Sequence, residues 1–327
     1  MPREHFRFAT TILAASLISF SGPAVCQKYP TKPVRLLVGF APGGTTDVVG
    51  RVIGRRLTEA LGQQAIVENR PGAASNIATE LAAKAPPDGY TLLVVTPTQT
   101  VNATLYKKLS YDLVADFAPV SQVVTSPHLL AVHPALPVRS TRDLIDLAKR
   151  QPGALNFGNA GDGSTPHMAA VLFSNAAKIQ IVHIPYRGQS PAMSDFLAGQ
   201  TQVMFTDMIV ALPSVKAGRL RALAMALPAG KRSSLMPELP TISESALPGF
   251  ETGSWVGVLA PARTSKSVTD VLYKEISRGF MAPEVMAQMA ALGLEVVTTT
   301  PDAFASTIKS EIKKWGEVVR EIRLSVE

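Results

Sequence analysis

Three times along this chain an apolar run breaks into glycine, proline or hydroxyl residues and then restarts as a helix. The first case is "VRLLVGFAPGGTTDVVGR", Val34 to Arg51. Val34 to Gly39 is continuous and rich in Val and Leu, the pattern of a strand buried on both faces. Pro42, Gly43 and Gly44 stop it, because proline lacks an N–H and glycine accepts backbone angles that other residues resist. Thr45, Thr46 and Asp47 are each good N-caps for a helix continuing through Val48, Val49, Ile53 and Leu57. The second case is "TLLVVTPTQT", a strand over Tyr90–Thr96 that ends at Pro97 with Thr98 and Thr100 behind it. The third is "LNFGNAGDGSTPHMAAVLF", where Gly158, Gly161 and Gly163 lead into Ser164, Thr165 and a helix beginning near Pro166. Between them Ala65–Glu68 reads as a strand and Asn76–Lys84 as a helix. Strands alternating with helices predict an α/β fold with parallel sheets, in which ligands sit outside the carboxyl ends of the strands.

Such a turn presents open backbone N–H groups at the positive end of a helix, where an anion binds without any basic side chain. The competing reading is a turn with no role beyond the fold. Neither the nucleotide P-loop nor the G-x-G-x-x-G fingerprint is present. A chain of 327 residues is long enough for two domains. The formal charge of +7 is scattered, with its densest cluster at Arg51, Arg55 and Arg56, and aromatics are only 6%. That distribution argues against a nucleic-acid partner and for a basic secreted protein.

The N-terminus carries Arg3 and Arg7, then the apolar stretch "FATTILAASLISFS", then "PAVCQ" with small residues placed for cleavage after Cys26. Residues 1–26 are therefore expected to be a signal peptide, and the mature protein to begin near Gln27 in the periplasm. Cys26 is the only cysteine, and no Leu stands three residues before it as a lipid-attachment box would have. Simple cleavage is favoured, with lipidation of Cys26 left open. No later segment reaches 18 apolar residues, so a membrane span is not expected.

His167 lies near Ser164 and Asp162, which raises a catalytic reading beside a structural or ligand-contacting one. The G-x-S-x-G elbow is missing. His128 and His133 suit no common metal spacing, and neither a metal nor a cofactor is expected. Tyr186 reads as a wall of a cleft or as a packing residue. Arg187 reads as a partner for a second carboxylate or as a solvated side chain. Asp207 would repel an anionic ligand unless that ligand offers an ammonium, a hydroxyl or a proton, and it can alternatively cap the helix from Met208 onward.

The stretch from Phe40 to Leu93, "FAPGGTTDVVGRVIGRRLTEALGQQAIVENRPGAASNIATELAAKAPPDGYTLL", resembles the N-terminal signature of the tripartite tricarboxylate transporter substrate-binding proteins, the Bug receptor family. "GNAGDGSTPHMAA", "HIPYRGQSPAMSDFLAGQTQVMF", "LPSVKAGRLRALA", "MPELPTISESALPGFE" and "SWVGVLAP" follow in family order. Three departures stand out. Asn159 occupies the Ser position of the usual Gly-Ser-Ala-Gly. Thr206 stands where the family carries an acidic residue, with Asp207 next. "APARTSK" replaces Ala-Pro-Ala-Gly-Thr-Pro.

The resemblance implies a two-lobed periplasmic binding-protein fold (type II-like), each lobe a mainly parallel sheet flanked by helices. Residues 28–126 and 252–327 would form one lobe and 127–251 the other, with crossings near "VVTSPHLLAVH" and "TGSWVGVLA". It implies a monomeric, non-enzymatic receptor for a small mono-, di- or tricarboxylate, serving the membrane subunits of a transporter. A sensor feeding a signalling partner is the alternative, and a hydrolase or lyase using Ser164 and His167 a further one. The expected ligand contacts are Pro42, Gly43, Gly44, Thr45, Thr46 and Asp47 from the first turn, with Thr96, Thr98 and Thr100 from the second. Asn159, Gly161, Gly163, Ser164, Thr165 and His167 come from the third, and Tyr186 and Asp207 complete the set.

Overall fold

The computed structural model describes residues 29–322 and Leu324, so the expected signal peptide and Cys26 lie outside the described residues. Strand β1 (Val34–Val38) turns Leu36 and Val38 to one core and Leu37 to another. After helix α1 (Thr45–Leu61), strand β2 (Ala65–Asn69) and helix α2 (Asn76–Ala83), strand β3 (Thr91–Val95) divides Leu92 and Val94 from Leu93 and Val95 in the same way. Side chains alternate across a strand, so a run with a core on each face is apolar throughout where both cores reach it; Arg35, near the start of β1, is exposed and pairs with Glu68. Helix α3 (Pro97–Leu105) follows, and then β4 (Phe117–Val132), the longest strand among the described residues.

The second lobe alternates helix and strand: α4 (Thr141–Arg150), β5 (Asn156–Asn159), α5 (Thr165–Ala177), β6 (Val182–Pro185), α6 (Gln189–Leu197), β7 (Val203–Asp207), α7 (Met208–Lys216) and β8 (Arg221–Met225). A short helix α8 (Ile242–Ser245) leads to β9 (Gly253–Pro261), which returns the chain to the first lobe. There α9 (Lys266–Phe280), α10 (Pro283–Ala291), the short strand β10 (Glu295–Val296) and α11 (Pro301–Glu321) complete the described fold.

One continuous sheet runs β2-β1-β3-β9-β4-β7-β5-β6, with β8 and β10 also pairing to β4. Each lobe keeps a parallel trio, β2-β1-β3 in one and β7-β5-β6 in the other. Every pairing of β9 or β4 with a neighbour is antiparallel. These two strands carry the chain out of the first lobe and back, so they run in opposite directions. Register shifts between Pro119 and Ser121, between Gln122 and Val124, and between Leu130 and Ala131 let β4 bend from one sheet into the next.

The second lobe is filled on one face by Phe157, Phe173, Phe205 and Phe250, packed in tilted and edge-to-face pairs with ring centroids 5.7–6.5 Å apart. Its other face is rich in methionine, with Met193, Met204, Met208, Met225 and Met236.

Gly257 on β9 lies where the strand is squeezed between β4 and the ring of Phe304. A Cβ there would lie 2.9 Å from the Ser121 carbonyl and would run into Phe304. Glycine in a strand marks such close approaches. Gly257→Ala is expected to lower unfolding stability by about 1–3 kcal/mol, the range for overpacking, measured by urea denaturation. An unchanged midpoint would show that Phe304 moves aside freely.

Candidate ligand-binding site

Three helices, α1, α3 and α5, begin directly after β1, β3 and β5, and their first turns open on one small chamber. It is lined by Gly44, Thr45 and Thr46 from α1 and by Thr96 and Thr98 from α3. Ser164, Thr165 and Pro166 come from α5, with Gln189, Asp207 and Ser254 between them. Phe40 and Ala160 line it as well, and they also line a second, outer chamber. The inner volume is about 20 Å³ and the outer about 240 Å³. Among the described residues, no Lys, Arg or His lines the inner chamber. The N–H groups of Thr45 and Thr46 open α1 and have no preceding helical carbonyl to bond.

The caps differ from expectation at α1. Gly44, not one of the three polar residues after it, is the N-cap, with φ −81° and ψ 170° and no side-chain bond. Asp47 is spent locally. Its Oδ2 accepts the Gly43 N–H at 3.0 Å and Arg51 Nε at 3.0 Å, while Oδ1 accepts Arg51 Nη2 and Asn69 Nδ2, both at 2.9 Å. Burial pushes the Asp47 carboxyl up, but the bonds from Arg51, Gly43 and Asn69 outweigh it and hold the group below the usual carboxylate range. The Gly43 N–H is thereby consumed. Pro42 and Gly43 are exposed and do not line either chamber.

At α3, Thr96 forms a capping box with Gln99, and Thr98 faces the inner chamber. Thr100 does not. Its hydroxyl donates to the Pro97 carbonyl at 2.7 Å and the residue is fully buried, two positions further round the helix than Thr98.

At α5 the loop satisfies most of its own donors. The Gly161 N–H donates to Asn159 Oδ1 at 2.8 Å and the Gly163 N–H to His167 Nδ1 at 2.9 Å. Asn159 and His167 are therefore buried supports of the loop and line neither chamber. Gly163 faces Asn102 and Leu105 of α3 across the cleft, where a Cβ would lie within 2.8 Å of both. The Ser164 hydroxyl caps α5 by accepting the His167 N–H at 3.4 Å, which leaves its proton to donate. Because Nδ1 accepts, the His167 proton is assigned to Nε2. Burial, reinforced by the neighbouring His183 ring 4.8 Å away, pushes His167 down to about 3. A histidine so weakly basic, with Nδ1 occupied, is not poised as a base on Ser164.

The outer chamber holds Tyr186 and Gly161 of the expected set, and beside them Tyr106, Asp162 and Arg187. The Tyr186 hydroxyl donates to Asp195 at 2.9 Å, so the ring is a wall and its oxygen is engaged elsewhere. Ala73, Ala74 and Ser75 also line it, all at positive φ (45°, 46° and 72°), a costly conformation for residues other than glycine. Asn102 Nδ2 bonds the Ala74 carbonyl at 2.8 Å and Gln99 Nε2 bonds Ser75 Oγ at 2.7 Å, which holds the run in place. Asp207 lines the inner chamber, but protein donors already hold both of its oxygens. It is the N-cap residue of α7 yet makes no side-chain cap bond.

Sequence reasoning missed Phe40, Gln189, Ser254, Ser126 and His128. The first two stand at strand-to-helix junctions, the signal that found Thr96 and Ser164. The other three sit on or beside the crossing strands, where nothing local marks them.

Two α/β lobes joined by crossing strands, with helix N-termini facing a cleft between them, define a solute-binding protein. The chain belongs to the tripartite tricarboxylate transporter family receptors, matched over residues 49–324. Protein BugT of Bordetella pertussis is 35% identical, with 92% of each chain covered. Among solved structures, the Rhodopseudomonas palustris protein Rpa4515 with adipate is 34% identical, with a TM-score of 0.87, covering 91% of this chain and 99% of that one. MatC from the same organism, with bound malate, is 30% identical with a TM-score of 0.85, covering 89% and 100%.

His167 generates a pH prediction. Its folded value lies well below the unfolded one, so the unfolded state binds the extra proton and stability falls as pH drops through the range 6.5 to 3. Between pH 7 and 5 this one group is expected to cost about 2 kcal/mol. His167→Asn, whose Oδ1 can take the Gly163 N–H as Nδ1 does, is expected to reduce the pH slope by that amount in denaturant titrations. An unchanged slope would mean that His167 protonates freely in the folded protein.

Proposed function

We propose that this protein is a periplasmic receptor that grips one carboxylate of a small organic acid in the inner chamber and hands the acid to the membrane subunits of a tripartite tricarboxylate transporter. The observation that carries this reading is the convergence of three helix N-termini on a chamber that, among the described residues, no cationic side chain lines. Positive charge there comes from helix ends alone, which suits an anion with several acceptor sites. The α1 N–H groups and the Thr46 hydroxyl on one lobe, with the Ser164 and Thr165 hydroxyls on the other, are the donors. The body of the acid extends past Phe40 and Ala160 into the outer chamber. Relatives solved with adipate and with malate support the ligand class. Hydrogen bonds to a charged group contribute roughly 1.5–3 kcal/mol each. Three or four of them total roughly 5–12 kcal/mol before ordering costs, and micromolar binding needs a net of roughly 8, so apolar contacts of the acid in the outer chamber have to supply the remainder.

The acid leaves unchanged. With Nδ1 of His167 held by Gly163, no base among the described residues addresses Ser164, and native mass spectrometry of the purified protein is expected to find any co-purified acid intact. The lobes, residues 28–126 with 252–327 against 127–251, close on the acid by bending at β4 and β9. Export to the periplasm follows the charged, apolar and small-residue segments of the N-terminus.

The test is calorimetry with whichever of malate, adipate and citrate a thermal-shift screen finds to bind. Ser164→Ala is expected to weaken binding of every acid accepted by about tenfold, the loss of one charge-assisted bond. Gly44→Val is expected to abolish binding while leaving the fold intact. Gly44 has β-region angles that valine adopts freely, a Cβ there meets only the Ala41 carbonyl within 4 Å, at 3.9 Å, and the residue lines the chamber, so the added side chain is expected to occupy it. A folded Gly44→Val protein that binds normally would reduce the first turn to a structural role.

A further inference from the structure

The inner chamber already contains a carboxylate that belongs to the protein. Asp207 ends β7 and is 1% exposed. Its Oδ2 accepts the Thr45 hydroxyl at 2.6 Å and Gln189 Nε2 at 2.7 Å, and its Oδ1 accepts the Ser126 hydroxyl at 3.1 Å. The orientation of Gln189 is fixed from its other end, since Oε1 accepts the Asp207 N–H at 3.1 Å and the Thr206 hydroxyl at 2.9 Å. The amide therefore presents its NH₂ to the carboxylate.

These donors come from three parts of the fold. Thr45 is the first residue of α1 in the first lobe. Ser126 lies on β4 where it crosses between lobes, and Gln189 belongs to the second lobe with Asp207 itself. A fourth group lies near Oδ1, the oxygen that Ser126 holds. Nε2 of the fully buried His128, also on the crossing strand, has no hydrogen-bond partner among the described residues and lies 3.8 Å from Oδ1. Its Nδ1 meets the Thr252 hydroxyl at 3.1 Å, just before β9.

Two further bonds join the lobes, from the Ala41 N–H to the Arg187 carbonyl at 3.0 Å and from the Tyr106 hydroxyl to the Asp162 carbonyl at 3.4 Å. Both are neutral pairs, whereas a bond to a buried carboxylate is shorter and stronger, and its donor geometry is lost once the lobes part.

We propose that Asp207 is a built-in latch, an internal carboxylate that takes the first donor of α1 from the opposite lobe and favours the closed cleft before any acid arrives. The latch rests on the reading of this protein as a closing receptor, but not on which acid it takes or on the grip at Ser164. It also sets what the inner chamber offers. The Thr45 hydroxyl and the Gln189 amide are committed to Asp207, so one ligand carboxylate fits beside them on the remaining α1 and α5 donors, and a second must lie in the outer chamber.

Small-angle scattering of the protein freed of acid by unfolding and refolding tests this directly. Asp207→Ala is expected to have a larger radius of gyration than the wild type, because Thr45 and Ser126 lose their acceptor. The same truncation leaves the Thr45, Ser126 and Gln189 donors around a space the size of a carboxylate, so added formate is expected to restore compactness. Asp207→Asn is expected to be expanded too. Its NH₂ group meets donors, its side chain fills the space, and formate is expected to leave it unchanged. Thr45→Val, which keeps shape and removes only the cross-lobe donor, is expected to expand the free protein even if Asp207→Ala folds poorly, and Thr45→Ser is not. Affinity for the acid found in the screen is expected to fall about tenfold in Asp207→Ala, in proportion to the lost closed fraction. Free Asp207→Ala and Thr45→Val proteins that scatter as the wild type would overturn the latch, as would an expansion of Asp207→Ala that formate does not reverse. Normal binding by Ser164→Ala would sink the grip and leave the latch standing.

Discussion

Both lobes hang on the antiparallel pairing of β4 with β9. The ladder runs from Phe117 opposite Pro261 to Pro127 opposite Gly253. On one side β9 carries β3 and through it the parallel trio of the first lobe. Further along, β4 carries β7 and β8, and through β7 the trio of the second. The helices α1, α3 and α5 start at the carboxyl ends of parallel strands, and the shared ladder turns those ends toward one another. The cleft is thus a product of sheet order. Neither lobe alone builds the chamber, since Thr45, Ser164 and Ser254 each reach it from a different part of that sheet.

The way charge is handled follows from this placement. A chamber walled by helix N-termini is positive without any mobile cation, and the nearby side-chain charges are bound in place. Asp47 is held by Arg51 and Asn69 behind the first turn, and Asp207 by neutral donors on the far side. Burial keeps the ring of His128 below its ordinary basicity, opposed by the Asp207 charge next to it, so the carboxylate is not matched by a full cation. Fixed dipoles cost little reorganisation when an anion arrives, whereas a flexible lysine would have to be ordered.

Much of this was legible in the sequence because burial on both faces leaves a continuous apolar run, and β1 from Leu36 and β3 from Leu92 carry such runs. The strand-to-helix junctions likewise located Gly44, Thr46, Thr98, Ser164 and Thr165 at the chamber. Within those junctions the reading failed where one helical turn decides the direction of a side chain. Thr98 and Thr100 are two residues apart and point to different surroundings. Asp47 was readable in principle, since Arg51 follows it at the i,i+4 spacing of a helical ion pair. The capture of the Gly163 N–H by an imidazole was not, because it depends on a rotamer. Ser126, His128 and Ser254 were beyond reach for a different reason. They meet the site through pairing of strands distant in the chain, and no local pattern records which strands will cross.

That same crossing gives the chain an order of assembly. All the strands of the second lobe lie between the two crossings, so its aromatic core of Phe157, Phe173, Phe205 and Phe250 is complete in the nascent chain before β9 emerges. The first lobe has to wait. Leu272, Ile276 and Phe280 of α9 and Phe304 of α11 pack against Leu36, Val94 and Leu93 from the opposite end of the sequence, and the edge of β3 has no partner until β9 arrives. Such long-range pairing is slow and leaves apolar surface uncovered in the meantime. For this chain strands β1 and β3 are therefore apolar surface left uncovered during synthesis, although in the finished protein they are largely buried.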